Sequence, residues 1–371
     1  MSTPLLICDD SNMARKQVAR SLPDGWDVDI SFATNGAEGI EAIKAGKGDV
    51  LLLDLNMPVM DGYQVLEAIV SQDLPTLVIV ISGDIQPEAH KRVTSLGALD
   101  FIKKPVNKEK LTEILALYGI YKAAEVSALD LPVKQVLANE KTISPTEKIT
   151  LPSLTKPSTT VTNKHVEQKP QIDHLDPNMR DCYQEIANVA MGQAGDLLAR
   201  LLNVFVVLPI PNVNLIEVSE LSMALSAIEQ HESTSGICQG FIGAGVSGEA
   251  LLILNDSSFK DIAGLMNYQY EVDETTELEL LMDLANVLIG ACLNGVSEQL
   301  DMSFSQGHPV VLGQHRNISE LIAYNAKRWR RTLAIEISYS IENYSIKCDL
   351  LLLFTEDSMN TLYNKLAYLL D

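Results

Sequence analysis

The chain has 371 residues, 46% of them hydrophobic, and carries 49 acidic against 28 basic side chains, a net charge of −21. This is the composition of an ordinary folded protein of two or three domains and excludes disorder throughout. Most of the acidity sits behind residue 176, with 25 acids against 10 bases, so the back of the molecule repels phosphate backbones and anionic lipid, and neither nucleic acid nor a membrane is expected as partner.

From the start, short apolar runs alternate with segments of period near 3.6. The runs are Leu5–Cys8, Val28–Phe32, Val50–Leu53, Leu77–Ile81 and Leu99–Ile102. Five such units in about 120 residues predict a doubly wound α/β domain, a five-stranded parallel sheet with helices on both faces. In sheets of this kind ligands bind beyond the carboxyl ends of the strands, where strand order reverses. Those ends carry Asp9 and Asp10 after the first strand, Asp54 after the third, Ser82 after the fourth and Lys104 after the fifth. Crowded carboxylates repel one another, so such a site is satisfied by a hard divalent cation, Mg2+, which keeps positions open for phosphate oxygens. Asp54 is then the expected nucleophile, receiving a phosphoryl group as an acyl phosphate, with Lys104 pairing the remaining charge and Ser82 donating to the phosphate.

The text around these residues, Cys8-Asp9-Asp10-Ser11, Asp54 to Gly62, Ser82-Gly83 and Gly97 to Pro105, resembles the CheY-like receiver domains of two-component response regulators over residues 1–122. The resemblance implies phosphorylation at Asp54 by a phosphohistidine on a CheA-like sensor kinase. It implies a magnesium site from Asp9, Asp10, Asp54 and the backbone carbonyl of Asn56. It further implies that Ser82 and Phe101 form a switch pair and that a cis peptide at Pro105 follows Lys104.

Residues 123–176 contain no Phe, Tyr, Trp or Gly, five prolines and eleven Ser or Thr, and are expected to be a disordered linker, with a short docking helix conceivable in Ala123–Glu140. A tether of that length spans roughly 40 Å and keeps its two ends at an effective concentration of order a millimolar.

Residues 177–371 read as two similar halves, each ordered helix, strands, helix, which predicts an α+β domain with internal pseudo-twofold symmetry. Glu185, Asn188, Gly192 and Pro211 recur 98 residues later as Asp283, Asn286, Gly290 and Pro309. Acid and Asn at i and i+3 share one helix face. An Asn carboxamide both accepts from a water and donates to a phosphoryl oxygen, so it can align the water for in-line attack. An acid one turn away is placed to pair with the lysine of a docked receiver. This half resembles the CheC, CheX and FliY phosphatases of receiver domains, with Glu185-x-x-Asn188 and Asp283-x-x-Asn286 at that family's Glu-x-x-Asn motifs. The resemblance implies that Asn188 and Asn286 position water and that Glu185 grips the receiver lysine, the departure being Asp283 in place of Glu.

The five cysteines are odd in number, scattered and lack metal-ligand spacing, so reduced core thiols are expected. The basic run Lys327–Arg331 is expected to be a solvated face. Leu197–Pro211, the richest apolar run, contains Arg200 and Asn203 and is too short to span a bilayer, and a cytoplasmic location is expected. The function that unites the two modules is a chemotaxis-type response regulator whose back domain removes aspartyl phosphate from its own receiver or from a separate CheY-like one. The rival is a non-catalytic binding platform of the flagellar-switch kind.

Overall fold

The computed structural model describes residues 2–121, 175–217, 233–268, 272–316 and 331–370. The expected linker up to residue 174, its docking helix and the basic run from Lys327 to Arg330 lie outside the described residues, while Asp176, at the linker's expected end, belongs to the start of the next helix. The front sheet and the back domain pack together in one compact unit.

In the front domain β1 (Thr3–Cys8), β2 (Val28–Ala33), β3 (Val50–Leu53), β4 (Leu77–Ser82) and β5 (Asp100–Lys103) alternate with α1 (Asn12–Arg20), α2 (Gly36–Lys44), α3 (Gly62–Ser71), α4 (Pro87–Ser95) and α5 (Lys108–Leu117). All strands run parallel in the order β2-β1-β3-β4-β5. Central β3 is Val-Leu-Leu-Leu with every residue buried, as a strand covered on both faces must be. Its Leu51 and Leu53 feed one core, and Val50 and Leu52 the other. Helix starts are fixed by side chains that take up free backbone N–H groups: Ser11 for α1, Asn35 for α2, Asp61 with Gln64 in a capping box for α3, and Asn107 for α5. Strand order reverses between β1 and β3, so the crevice opens where Asp9, Asp10 and Asp54 leave the sheet.

The back domain opens on the 26-residue helix α6 (Pro177–Leu202), capped by the Asp176 carboxylate. Next come β6 (Val206–Val207), β7 (Asn212–Glu217), β8 (Thr234–Gly243), β9 (Val246–Asn255) and α7 (Phe259–Leu265). The second half follows the same order: α8 (Glu274–Gln299), β10 (Ser305–Gln306), β11 (Val310–Arg316), β12 (Arg331–Ile341), β13 (Lys347–Thr355) and α9 (Met359–Leu370). One eight-stranded sheet has the order β10-β8-β9-β13-β12-β6, with β11 also on β8 and β7 also on β12. Each half therefore lends two strands to the other, β6 and β7 to β12, and β10 and β11 to β8. At the centre Leu251 faces Leu351 in an antiparallel ladder. Helices α6 and α8 pack against each other so closely that a Cβ on Gly295 would lie 2.7 Å from the Cα of Ala190.

Helix α8 departs from the sequence expectation in one respect. Its hydropathy of 1.5 over 18 residues and its length pass the test for a membrane span, and 61% of that stretch is buried inside the protein. Leu280, Leu281, Leu284, Leu288 and Ile289 are all at most 2% exposed, so its apolarity belongs to the core between sheet and helix. The five cysteines are free and buried.

Candidate functional site

At the crevice, Asp9, Asp10 and Asp54 each place a carboxylate oxygen within 4.8 Å of the others. Lys104 reaches back from the end of β5, its Nζ 2.8 Å from Asp9 Oδ2 and 3.4 Å from Asp54 Oδ2. The Lys104–Pro105 peptide is cis. Ser82 is fully buried and its Oγ accepts from the Asp84 N–H at 3.1 Å. Phe101 is half-buried, its ring edge-on to His90 at 5.6 Å. Arg15 donates to the carbonyl oxygens of Asp9 and Asp10 at 2.6 and 3.0 Å, which ties down the turn carrying both acids.

Helix α6 lies over this crevice. Glu185 Oε1 is 3.1 Å from Lys104 Nζ, and Asn56 Nδ2 donates to Asn188 Oδ1 at 3.3 Å. One turn earlier Asp181 accepts from the backbone N–H groups of Asn12 and Met13 at 3.1 and 2.9 Å, so a carboxylate from the back domain sits on the positive end of α1. One turn later the Gly192 backbone rests on Gly83, where a Cβ would lie 1.8 Å from the Gly83 carbonyl oxygen. Only glycine allows that approach. Under this covering Asp54 is 1% exposed and Glu185 and Asn188 are 6% exposed, while Asp10 and Asn56 at the mouth are half-buried. A narrow cavity of about 10 Å³ remains, bordered by Asp10, Asn56, Glu185, Asn188 and Pro211. The duplicated proline thus has a place at the site.

Four carboxylates surround one ammonium here, and the protonation balance follows. Burial, added to by Asp9, pushes Asp10 up to about 6. Burial pushes Glu185 up to about 7 against the opposing pull of Lys104. Asp54 is raised well above the carboxylate range by burial, with Lys104 opposing and Asp9, Glu185 and Asp10 reinforcing. Burial works against the charged form of Lys104, yet the carboxylates of Asp54, Asp9 and Glu185 outweigh it and hold the ammonium well above its usual value. Both Asp54 oxygens lack a hydrogen-bond partner among the described residues. An all-oxygen donor set with surplus negative charge, in which the Asp54 oxygens accept no hydrogen bond and Oδ2 keeps only its ion pair with Lys104, fits a hard divalent cation.

Two further contacts close the seam, neither foreseen from the sequence. Gln86, 1% exposed, accepts from Val206 N at 2.9 Å and donates to Val206 O at 2.8 Å. Arg92 on α4 forms a two-pronged pair with Glu342, one prong at 3.0 Å, and its guanidinium carbon lies 3.9 Å over the Phe205 ring. Asp181 was also missed, although an acid recurs at the same spacing as Glu279. The second acid-Asn pair is not brought to the crevice. Asp283 and Asn286 are exposed on α8, and a Cβ on Gly290 would meet nothing within 4 Å.

Residues 5–116 match the response regulator receiver domain family. The chemotaxis protein CheY of Treponema pallidum is 35% identical over 115 residues, which are 30% of this chain and 79% of that protein. The chain belongs to the response regulator receiver family. Protein-glutamate methylesterase/protein-glutamine glutaminase 3 of Geobacter sulfurreducens is 42% identical over 112 residues. The match covers 29% of this response regulator and 30% of that relative, so the chain spans under a third of the relative's length. A solved structure, Thermotoga maritima FliY, is similar at 19% identity and a TM-score of 0.38, covering 52% of this chain and 98% of that one. The α+β architecture of the back domain stands on its own topology.

Proposed function

We propose that Asp54 is the phosphoacceptor of this response regulator and that helix α6 promotes hydrolysis of the resulting acyl phosphate within the same chain. In this reading residues 1–122 are the receiver, 123–176 the tether and 177–371 the phosphatase domain. The observation that carries it is the seating of α6 on the acid crevice, with Glu185 on Lys104 and Asn188 beside Asn56.

Loading transfers a phosphoryl group from a phosphohistidine nitrogen of a CheA-like sensor kinase to an Asp54 oxygen, breaking the N–P bond and forming the O–P bond. Unloading brings a water oxygen to phosphorus opposite the Asp54 oxygen; the P–O bond breaks, Asp54 leaves as carboxylate, and the water's proton departs with inorganic phosphate. The Asn188 carboxamide oxygen keeps a second lone pair for that water, and its NH2 is available to a phosphoryl oxygen. The cavity bordered by Asn188 and Pro211, about 10 Å³, is the size of a single water. Glu185 holds Lys104 and thereby the register of the two domains. The hydroxyl hydrogen of Ser82 remains for the phosphoryl group, since its oxygen serves as the acceptor for Asp84 N–H. Mg2+, when bound by Asp9, Asp10, Asp54 and the Asn56 carbonyl, would neutralise phosphoryl oxygen charge. Positioning supplies the acceleration without a general base.

Because α6 seals Asp54, the kinase reaches it only when the receiver has left that helix. Loading and unloading therefore belong to opposite states of the seam. The exposed Asp283 and Asn286 support a second activity on a separate CheY-like receiver in trans.

The test is the lifetime of the Asp54 phosphate in the intact chain. Decay should be first order, independent of protein concentration, and slowed by Asn188→Ala; loss of an added CheY phosphate should depend on Asn286. If Asn188→Ala with Asn286→Ala leaves both lifetimes unchanged, the back domain is a binding platform and not a phosphatase.

A further inference from the structure

The receiver sits on α6 although α8 offers almost the same footprint. Asp181, Glu185, Asn188 and Gly192 are four α6 positions that touch the receiver. Glu279, Asp283, Asn286 and Gly290 repeat all four at a spacing of 98 residues, and the first three are exposed. The backbone of Val206, which Gln86 reads through N–H and C=O alone, has Phe304 at the same offset, and any residue supplies such a backbone. These contacts tell one face from the other only by a methylene, Glu185 against Asp283 and Asp181 against Glu279.

The third cluster differs in chemical kind. Val207 lies opposite Ser340 on β12, and its counterpart Ser305 lies opposite Ile242 on β8. Carrying each register two residues on, past the ends of β8 and β12, aligns Ala244, in a left-handed turn, with Glu342, and Ser303 with Phe205. Arg92 on the α6 side meets a carboxylate and an aromatic face. On the α8 side it would meet a methyl group and a hydroxymethyl group. Charges at the rim of an interface fix register and partner more than they add affinity, and a guanidinium both pairs in a fork and stacks on a ring, which few other side chains can exploit.

We propose that Arg92, clasped by Glu342 and Phe205, is the specificity determinant that seats this receiver on α6 and leaves α8 open to receivers lacking that arginine. The proposal rests on the reading of α6 and α8 as two receiver-binding faces, and its test needs no phosphate.

Two full-chain reporters, Asn188→Cys and Asn286→Cys, are alkylated with a maleimide and the sites quantified by peptide mass; the five native thiols are buried. The thiol introduced at 188 should react slowly and that at 286 fast. Adding Glu342→Ala with Phe205→Ser should speed alkylation at 188 at least fivefold. Further adding Ala244→Glu with Ser303→Phe should slow it at 286. The charge exchange Arg92→Glu with Glu342→Arg should keep position 188 more protected than Arg92→Glu alone, which separates a broken clasp from a damaged fold. Unchanged protection at 188 after Glu342→Ala with Phe205→Ser overturns the proposal, as does equal exposure at 188 in the exchanged and single variants. If labelling follows the clasp while Asn188→Ala leaves phosphate lifetime unaltered, the clasp stands and the phosphatase reading falls.

Discussion

Lys104 Nζ lies 3.1 Å from Glu185 Oε1, with both side chains at most 7% exposed, although the two residues come from different domains. The ammonium is shared three ways, with Asp9 and Asp54 as its other partners. Loss of Glu185 therefore leaves no uncompensated charge and should act on domain register more than on folding. Glu185→Gln is expected to lengthen the Asp54 phosphate lifetime several-fold. Asn188→Ala, which removes the carboxamide proposed to position the water, should lengthen it roughly 10- to 100-fold, the cost of losing a positioned reactant. Both are read by quantifying acyl phosphate over time in the full chain.

Gly192→Ala separates docking from folding. The added methyl would meet the Gly83 carbonyl oxygen at 1.8 Å, yet alanine favours a helix over glycine by about 0.8–1 kcal/mol. Thermal stability of the back domain should hold or rise while the seam opens. Phosphorylation by a small acyl phosphate donor should become faster and decay slower. Gly290→Ala, with nothing within 4 Å of its added carbon, should leave both rates alone.

Gln86 is a buried side chain that meets the other domain through the backbone of Val206. Truncation to alanine strands the Val206 N–H and C=O, at a cost of about 1–3 kcal/mol to the docked form. Hydrogen exchange at the Val206 amide should accelerate accordingly in Gln86→Ala, with the receiver's own sheet amides unaffected.

A pH dependence is expected from His315, whose Nδ1 is 2.8 Å from Asp256 and whose Nε2 is 3.2 Å from Glu277. The hydrogen bond to Asp256, with the charges of Asp256, Glu277 and Glu274, raises the imidazole above 6.5. A raised pKa means that the folded state binds the proton more tightly than the unfolded one. The stabilisation is therefore full below the unfolded pKa near 6.5 and is lost as pH rises through the higher folded value. Being 42% exposed, the pair is screened and the effect modest. Melting curves of the full chain should shift down between about pH 6 and 8, and the shift should flatten in His315→Gln.

Much of the receiver was legible because its signals are local. Strand starts and ends agree within two residues, as for Leu77–Ile81 against Leu77–Ser82 and Leu99–Ile102 against Asp100–Lys103. Acids that follow buried strands fall at the crevice by geometry alone. The repeat of Glu185 and Asn188 at 283 and 286 pointed to paired helices, and the structure packs α6 against α8. What escaped is the seam. Asp181 meets Asn12 across 169 residues, and Arg92 meets Glu342 across 250; such contacts leave no period in the chain, and each residue reads locally as a surface charge. The difference between the two copies was visible only as Glu against Asp. Its larger part, one pair buried under the receiver and the other exposed, depends on residues such as Glu342 and Ala244 that lie far from either motif.

The exchange of strands between the two halves, β7 onto β12 and β11 onto β8, bears on how such a domain is inherited. Neither half can be deleted without tearing a ladder out of the other, so an ancestor with one copy could have closed its sheet only by pairing with a second chain. Once fused, the second helix persists as scaffold whatever its chemistry, and its surface is free to change residue by residue. Helix α8 is where a new partner can be acquired without risk to the clasp on the other side.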